Sequence, residues 1–448
     1  MGVASLVAVL EAGSKVGGRV LHDSTLVPGR SLELGPEFIH GENDNRLLDL
    51  VKTKLIGRPG VEVRELDWPN YYWFNKEGVM MAAAEADEQE DVALMHESFE
   101  RLGEPEAATM PEQSLLQYFV SCGLSSRVLD LADAIFANDY GGDMSDVGLH
   151  EVVHEQARWC HGEKYLVLRG ACLQDAMDAL AAGLPVRTEW KAKTVRVLPP
   201  GTQQEGGARA PRVEVCDGMG RVVRAQAAIV TVPLPVLQRG ELGFDPPLPV
   251  EQSTAVSALR MGNALKVIVR LRRRFWPLDF YDAVCADSFL PEVWLSPAAD
   301  LMSADSKPPY TMVGFVAGAR AERVGRLAEA DVARGMLTQL DAMFGTPADP
   351  RPASESCDGY LVKNWAAHPL TYGAYSHPTI GASGQRPKLS GLAHGAITFA
   401  GEATHEGVNP CVHAAMETGE LAAERMCHLL RQRQDGPKSG GGGARSRL

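Results

Sequence analysis

The sequence predicts an α/β protein in which one open-sheet domain is discontinuous along the chain. A second, mixed α+β domain is built from the segments that interrupt it. Three observations predict this. The stretch "VLEAGSKVGGRV", residues 9–20, has the form of a strand ended by an acidic residue and followed by a glycine-paired loop, as in the second strand of a Rossmann-like dinucleotide-binding unit. The stretch "ITFAGEATHEGVNPCVHAAMETG" reads as a strand, a tight turn and a long helix. Between the two, helical periodicity replaces strand signals from about residue 85 to about residue 160, so other material divides the sheet-forming segments.

Taken in order, "SLVAVLE", "KVGGRV" and "LELGPEFIHG" alternate short apolar strands with glycine turns. In the helical segment, Leu115, Leu116, Phe119 and Val120, then Val128, Leu131, Ala132 and Ile135, recur at the spacing of one buried helix face. Strands return at "PVRTEWKAKTVRVL". "RVEVCDG" and "AAIVTVP" bound the second half of this region, and the Gly/Pro/Gln-rich "PPGTQQEGGARAP" reads as an exposed, hairpin-like connection. Strand, turn and helix signals then alternate to about residue 372. In the closing segment Asn409 is a good N-cap and Pro410 suits a first helical turn. A helix is therefore predicted to begin there, with Val412, Ala415, Met416, Gly419, Ala422 and Met426 on its apolar side. The glycine run and polar composition of "RQRQDGPKSGGGGARSRL" predict a disordered tail. The resulting division gives residues 1–60, 163–253 and 373–432 to the dinucleotide domain, 61–162 and 254–372 to the second domain, and 433–448 to the tail.

With 44 basic against 57 acidic residues, the net charge of -13 disfavours nucleic acid and anionic lipid as partners and favours a cationic substrate. No apolar run approaches the roughly 20 residues of a membrane span, and no signal-peptide pattern opens the chain, which argues against membrane insertion and secretion. The eight cysteines are dispersed without C-x-x-C or His/Cys spacing, and read as reduced, mostly buried thiols with no metal site.

Several residues carry a binding chemistry on their own account. Glu11 stands where an acidic side chain accepts hydrogen bonds from both ribose hydroxyls of an adenine dinucleotide, although a strand-ending glutamate is also a common surface residue. Gly17 and Gly18 allow backbone amides to approach a pyrophosphate, and Arg19 adds a planar cation. Gly401 permits close approach at a strand end, Glu402 follows in the turn, and the next helix start presents amides and a positive dipole end to whatever fills that turn. An ordinary strand-turn-helix is the plainer alternative. Only ten residues precede Glu11, where a first strand, glycine-rich phosphate loop and helix usually occupy about 25 to 30. No G-x-G-x-x-G occurs elsewhere. This first βα unit is therefore expected to be missing through an incomplete gene model or alternative start, with a truncated isoform or decayed copy as the alternatives. The chain as written is expected to bind its cofactor poorly.

"LEAGSKVGGRV", "ELGPEFIHG", "TVPLPVL", "GNALKVIVRLRRRFWP", "LTYGAYS" and "FAGEATHEGVNPCVHAAMETG" follow one another in the order and approximate spacing of a known family. Over roughly residues 3–430 the chain resembles the FAD-dependent amine oxidases, which include polyamine and spermine oxidases, monoamine oxidases and lysine-specific histone demethylases. The resemblance implies FAD as cofactor, with Glu11 on the adenosine ribose and Arg19 and Glu402 at the phosphate and ribityl region. Gly17, Gly18, Gly401, Cys411 and Val412 border the cofactor in this reading, and Val195 meets adenine through its backbone. It also implies that Lys266 holds a water against flavin N5, that His40 lies in the substrate channel, and that Tyr375 forms a wall of the aromatic cage. Read without the family motifs, Lys266 is a snorkelling surface lysine, His40 a satisfied loop histidine and Tyr375 a core residue.

Departures from the family pattern sort its branches. Ala374 occupies the position of the flavin-linking cysteine of monoamine oxidases, so the FAD is expected to be noncovalent. Cys411 stands where those enzymes have a second cage tyrosine, and a small residue there resembles the polyamine oxidase branch. The resemblance implies oxidation of a secondary amine of spermine, spermidine or acetylated forms with O2, giving an aldehyde, a shorter amine and H2O2. His40 is the candidate for recognising a substrate amine and Glu37 a candidate anchor for a distal ammonium. Ser446-Arg447-Leu448 is a variant of the Ser-Lys-Leu signal, read as an address for the peroxisomal import receptor. Two further readings stay open: a flavin oxidoreductase with another substrate, and a catalytically dead binding protein.

Overall fold

In the computed structural model, residues 7–199, 212–297, 306–407 and 410–435 are described. The connection at 200–211, the cap residue Asn409 and the terminal Ser446-Arg447-Leu448 lie outside them.

The first strand, Val9–Leu10, pairs in parallel with Val186–Arg187, and a second parallel pair joins Ala228–Val230 to Ile397–Phe399. Parallel pairing of strands far apart in sequence is the mark of a chain that returns repeatedly to one layer. Beside them, Val222–Ala225, Val213–Asp217, Ala192–Val197 and Gly243–Asp245 form a four-stranded sheet. Val195, Val213, Val230, Ile397 and Phe399 bury their side chains together in this region. The helix Leu173–Ala181 and the closing helix Val412–Asp435 flank a smaller core built on Ile39, Leu47, Leu48 and Leu173.

The largest sheet has seven strands, in the order Cys357–Asn364, Ala264–Leu271, Tyr310–Ala317, Glu292–Leu295, Asp282–Ala286, Tyr71–Phe74 and Val79–Ala82. Its pairings are antiparallel except between Asp282–Ala286 and Tyr71–Phe74. Ala264–Leu271 is an interior strand of near-continuous apolar residues, as expected of a strand covered on both faces. Lys266 lies in its middle and is 4% exposed. A surface-snorkelling position is therefore ruled out.

The helical segment comprises Glu90–Glu100, Leu115–Ser121, Ser126–Ala132 and Leu149–Arg158, packed against one another and the sheet through Phe119, Val128, Leu131 and Val152. The predicted apolar face holds except at Val120, which is 57% exposed because the short helix ends one residue later. Of the cysteines, only Cys172 and Cys285 are buried, whereas Cys160 and Cys427 are exposed, which corrects the expectation of mostly buried thiols. The described part of the closing helix begins at Val412, two residues beyond Pro410.

Candidate active site

A cavity of about 1540 Å³ runs from the first strand, past the start of the closing helix, to the interior face of the seven-stranded sheet. Small-molecule pockets ordinarily measure roughly 300–1,000 Å³, so there is room for a dinucleotide and a second molecule together. All of the sequence-predicted site residues line it except Val195. Val195 is 2% exposed, its side chain belongs to the apolar core, and its strand is paired on both sides, with Val215 and with Phe244. The cavity wall at this strand is supplied instead by Trp190, Lys191 and Ala192.

At one end the cavity has the character of a nucleotide cradle. Glu11 ends its strand with a backbone bond to the Arg187 carbonyl, and its Oε1 accepts from the Gly13 amide at 2.5 Å. Gly17 and Gly18 adopt φ of +108° and +59°, and a Cβ at Gly18 would meet nothing within 4 Å, so the bare backbone faces open space. Gln174, from the helix Leu173–Ala181, fixes this loop by donating to the Val16 carbonyl at 2.9 Å.

Further along, Gly401 has φ +131° and ψ 166°, a region that is essentially glycine-only. Its amide donates to Thr418 Oγ1 of the closing helix. Glu402 follows, 4% exposed, with Oε1 on Arg19 Nη1 at 2.8 Å and Oε2 accepting from the Ser376 amide and hydroxyl. Arg19 also donates to the Ala374 carbonyl. Burial opposes ionisation of Glu402, but the Arg19 guanidinium and Ser376 more than offset it, holding the carboxyl below its usual range. Behind Ser376 lies Arg386, 2% exposed, which bonds Ser376 Oγ and Glu151 Oε1.

This set fits an adenine dinucleotide flavin: amides exposed in a glycine loop, an acid at the ribose position, and a 24-residue helix whose first residues line the cavity. A Cβ at Gly401 would also meet nothing within 4 Å, so the backbone there is open to a ligand.

The far end is a chamber of aromatic rings and carboxyls. Lys266 Nζ donates to the carbonyls of Glu33 and Gly35 and to Glu37 Oε2 at 3.0 Å, and lies 5.4 Å from the centre of the Trp294 ring. Trp294 Nε1 donates to the same Glu37 oxygen. Glu37 Oε2 is therefore shared by Lys266 and Trp294, which makes Glu37 the ion-pair partner of the lysine on the cavity wall. With the three ammonium hydrogens matched by three acceptors, a water on Lys266 requires one of these bonds to lengthen.

His40 packs edge-on against Tyr165 with ring centres 5.1 Å apart, and burial pulls its imidazole down to about 4, so it is neutral at physiological pH. Tyr375 is held by a hydrogen bond from its hydroxyl to the Asn138 carbonyl. Cys411 also lines the chamber, and burial pushes its thiol up.

Among the carboxyls that escaped sequence reasoning, Asp139 and Glu292 stand close to the aromatic rings. Asp139 follows a π-helical turn at Asp133–Ala137 and lines the cavity. Its side chain is open to the cavity, yet surrounding protein raises it to about 7. Glu292 is 4% exposed, hydrogen-bonded by Asn138 Nδ2, and pushed well up by burial and by the charge of Asp139. The strand register could have flagged it: Glu292 and Trp294 share a face in "EVWL", so one carboxyl points wherever the indole does. Asp139, in "IFANDYGGD", carries no comparable signal.

A cavity that joins a dinucleotide cradle to an aromatic, carboxyl-lined chamber defines a flavin-dependent oxidoreductase site. Residues 6–427 match the family described as flavin containing amine oxidoreductase. The chain belongs to this family and is a flavin-dependent amine oxidase. It is 26% identical over 438 residues to polyamine oxidase 2 of Arabidopsis thaliana, covering 93% of this chain and 82% of the relative. It is also 25% identical to the peroxisomal N(1)-acetyl-spermine/spermidine oxidase of Bos taurus, covering 94% and 89%. Among solved structures, cyclohexylamine oxidase from Brevibacterium oxydans IH-35A superposes with a TM-score of 0.75 at 18% identity, covering 94% of this chain and 93% of that one. Putrescine oxidase bound to putrescine gives 0.73 at 19%, with the same coverage. These structural likenesses show that the chain shares the mixed α/β fold of those oxidases.

Proposed function

We propose that this amine oxidase acts on polyamines, oxidising a secondary amine of spermine, spermidine or their acetylated forms to an aldehyde and a shorter amine. The observation that carries this reading is the chamber itself. Its aromatic walls, from Phe38, Trp68, Tyr165 and Trp294, and its carboxyls, Asp139 and Glu292, suit a chain of methylenes and ammonium groups better than a lone apolar amine. The relatives named as polyamine oxidases support the same choice.

FAD, when bound, supplies the acceptor for a hydride from the carbon beside the nitrogen and passes the electrons to O2. Glu11 would hold the ribose, the Gly17-Gly18 loop and Arg19 the phosphates, and the start of the closing helix the flavin ring. Ala374 offers no nucleophile, which supports noncovalent binding. Residues 1–60, 163–253 and 373–432 would form the cofactor domain, and 61–162 and 254–372 the substrate domain. His40, neutral, accepts a hydrogen bond from a substrate amine, and Lys266 orders a water on the side of the chamber that it shares with Glu37. We further propose that the Ser446-Arg447-Leu448 tripeptide directs the chain to peroxisomes.

The test is to incubate the FAD-loaded full chain with spermine, spermidine, their N-acetyl forms and cyclohexylamine, and to measure H2O2 together with the amine products. Turnover confined to polyamines supports the reading, and preference for cyclohexylamine overturns it. Acid precipitation that leaves flavin in the pellet overturns noncovalent binding, and a reporter carrying the last residues that stays in the cytosol overturns the address.

A further inference from the structure

An amine gives up a hydride from its neighbouring carbon only when the nitrogen lone pair is free, yet polyamine nitrogens are protonated at neutral pH. Some group must take that proton inside the site. The ionisable side chains of the chamber include Lys266, His40, Glu155, Asp139 and Glu292, and of these Glu155 is 4% exposed and engaged with the Tyr140 hydroxyl. Lys266 is already a cation in an ion pair with Glu37, so it accepts no proton. His40 has a free ring, but burial makes it a weak base. Asp139 remains, with Glu292 beside it.

Their placement follows from the register of the large sheet. Lys266 pairs with Phe315, and Phe315 pairs with Glu292, so the three side chains form one rung on one face. Lys266 and Glu292 thus stand two strand spacings apart, about 10 Å. Asn138 ties the second carboxyl to the same point. Its Nδ2 donates to Glu292, its Oδ1 accepts from the Ala317 amide at 2.7 Å, and its carbonyl accepts from the Tyr375 hydroxyl. Asp139 is the next residue along, open to the cavity between these groups.

We propose that Asp139, with Glu292 as its positioning partner, takes the proton from the substrate ammonium, so that the nitrogen to be oxidised presents a free lone pair. This rests on the amine substrate argued above. The N–H bond of the ammonium breaks with its electron pair left on nitrogen, and an O–H bond forms on the Asp139 carboxylate. No electrons leave the substrate in this step. Glu292 stays protonated, so the pair holds one negative charge before the transfer and none after it, and passes the proton to water as product leaves.

The groups facing the pair agree with this assignment. Tyr375, Tyr165 and Tyr140 are held neutral by burial, as is the Cys411 thiol. Glu292 is raised first by burial and then by the charge of Asp139, with the Asn138 hydrogen bond and Lys266 opposing. An acceptor titrating near the working pH is the best compromise between being ionised and being basic, and Asp139 at about 7 meets it.

The test uses the FAD-loaded full chain under anaerobic conditions, following flavin reduction against pH with spermine and with a fluorinated secondary amine that is uncharged at pH 7. Asp139→Asn is expected to slow reduction by spermine by about 10²–10⁴-fold at pH 7. The loss should shrink as pH rises and be small with the uncharged amine. Loss that is equal at every pH and for both amines means that Asp139 only anchors substrate, and overturns the proposal, as does an unchanged profile. Glu292→Gln should shift the pH profile of reduction while retaining fold and flavin. A second readout needs no turnover: the infrared difference between wild type and Glu292→Gln at pH 7 should show the loss of one protonated-carboxyl band, separate from those of Glu33 and Asp282, and no such loss overturns the pairing. A wild type that no amine reduces overturns the substrate reading and this proposal together, whereas normal wild-type reduction with an unaltered Asp139→Asn variant overturns this proposal alone.

Discussion

Lys266 carries its ammonium into the middle of a seven-stranded sheet, where only a matched set of acceptors makes the position tolerable. Glu37 is the charged member of that set, itself 5% exposed and with one oxygen shared between Lys266 and Trp294. Removing the cation therefore leaves a carboxylate in apolar surroundings. Lys266→Met should cost about 3–5 kcal/mol of stability, and Lys266→Met combined with Glu37→Gln should cost less than Lys266→Met alone. Urea denaturation of the two variants checks this, and a double variant no better than the single one would show that the two charges are not coupled. The lysine was legible in the sequence because it interrupts an apolar strand within a recognisable motif. Its partner was not, since Glu37 lies 229 residues away and only the folded sheet brings the two together. The same reason hid Asp139, in a helical turn, whose proposed role depends on a carboxyl from a strand far along the chain.

At the level of elements, the helix Leu149–Arg158 is tied to the flavin-side segments through one buried chain of contacts. Glu151 bonds Arg386 Nε at 3.0 Å and the Thr379 amide, Arg386 bonds Ser376, and Ser376 bonds Glu402, which meets Arg19. Glu151→Gln keeps the shape and an acceptor oxygen but removes the charge opposite a guanidinium that is 2% exposed. The expected loss is about 1.5–3 kcal/mol, the worth of a charged hydrogen bond. Because Glu402 sits at the other end of the chain, retention of FAD during gel filtration should fall as well. A lowered melting temperature with FAD retention intact would mean that the helix is stapled without any link to the cofactor side. The helix was readable from its periodicity, and so were the strand, turn and helix at Ile397 to Val412. Its buried glutamates were not, because in sequence a charge on a helix reads as a solvated face. Val195 is a milder case: its strand was located correctly, but the residues that line the cavity there are Trp190, Lys191 and Ala192.

For the molecule as a whole, buried ionisable groups set the pH at which the fold is most stable, and they pull in two directions. Burial raises the carboxyls of Glu33 and Asp282 to about 8 and that of Asp139 to about 7, from 4.5 and 3.8. Between the unfolded and folded values the native state holds the extra proton, so these groups make stability fall as pH rises toward 8. Burial lowers the imidazoles of His40 and His377 to about 4 and that of His413 to about 3, from 6.5. There the unfolded state binds the extra proton, and stability rises with pH until about 6.5. Above 6.5 the histidine contribution is complete and only the carboxyl contribution continues. Below about 4.5 the carboxyls are protonated in both states and the histidines dominate, joined by Glu402, whose lowered value makes its stabilisation vanish as acid protonates it. Stability should thus peak between about pH 4.5 and 6.5, consistent with buried groups rather than net charge setting the optimum. Denaturation midpoints measured from pH 4 to 9, with FAD held at a fixed excess, should decline from 6.5 to 8, and Glu33→Gln should flatten that decline. A midpoint that climbs through this window, or a Glu33→Gln variant with the wild-type slope, would show that these carboxyls are ionised in the folded protein.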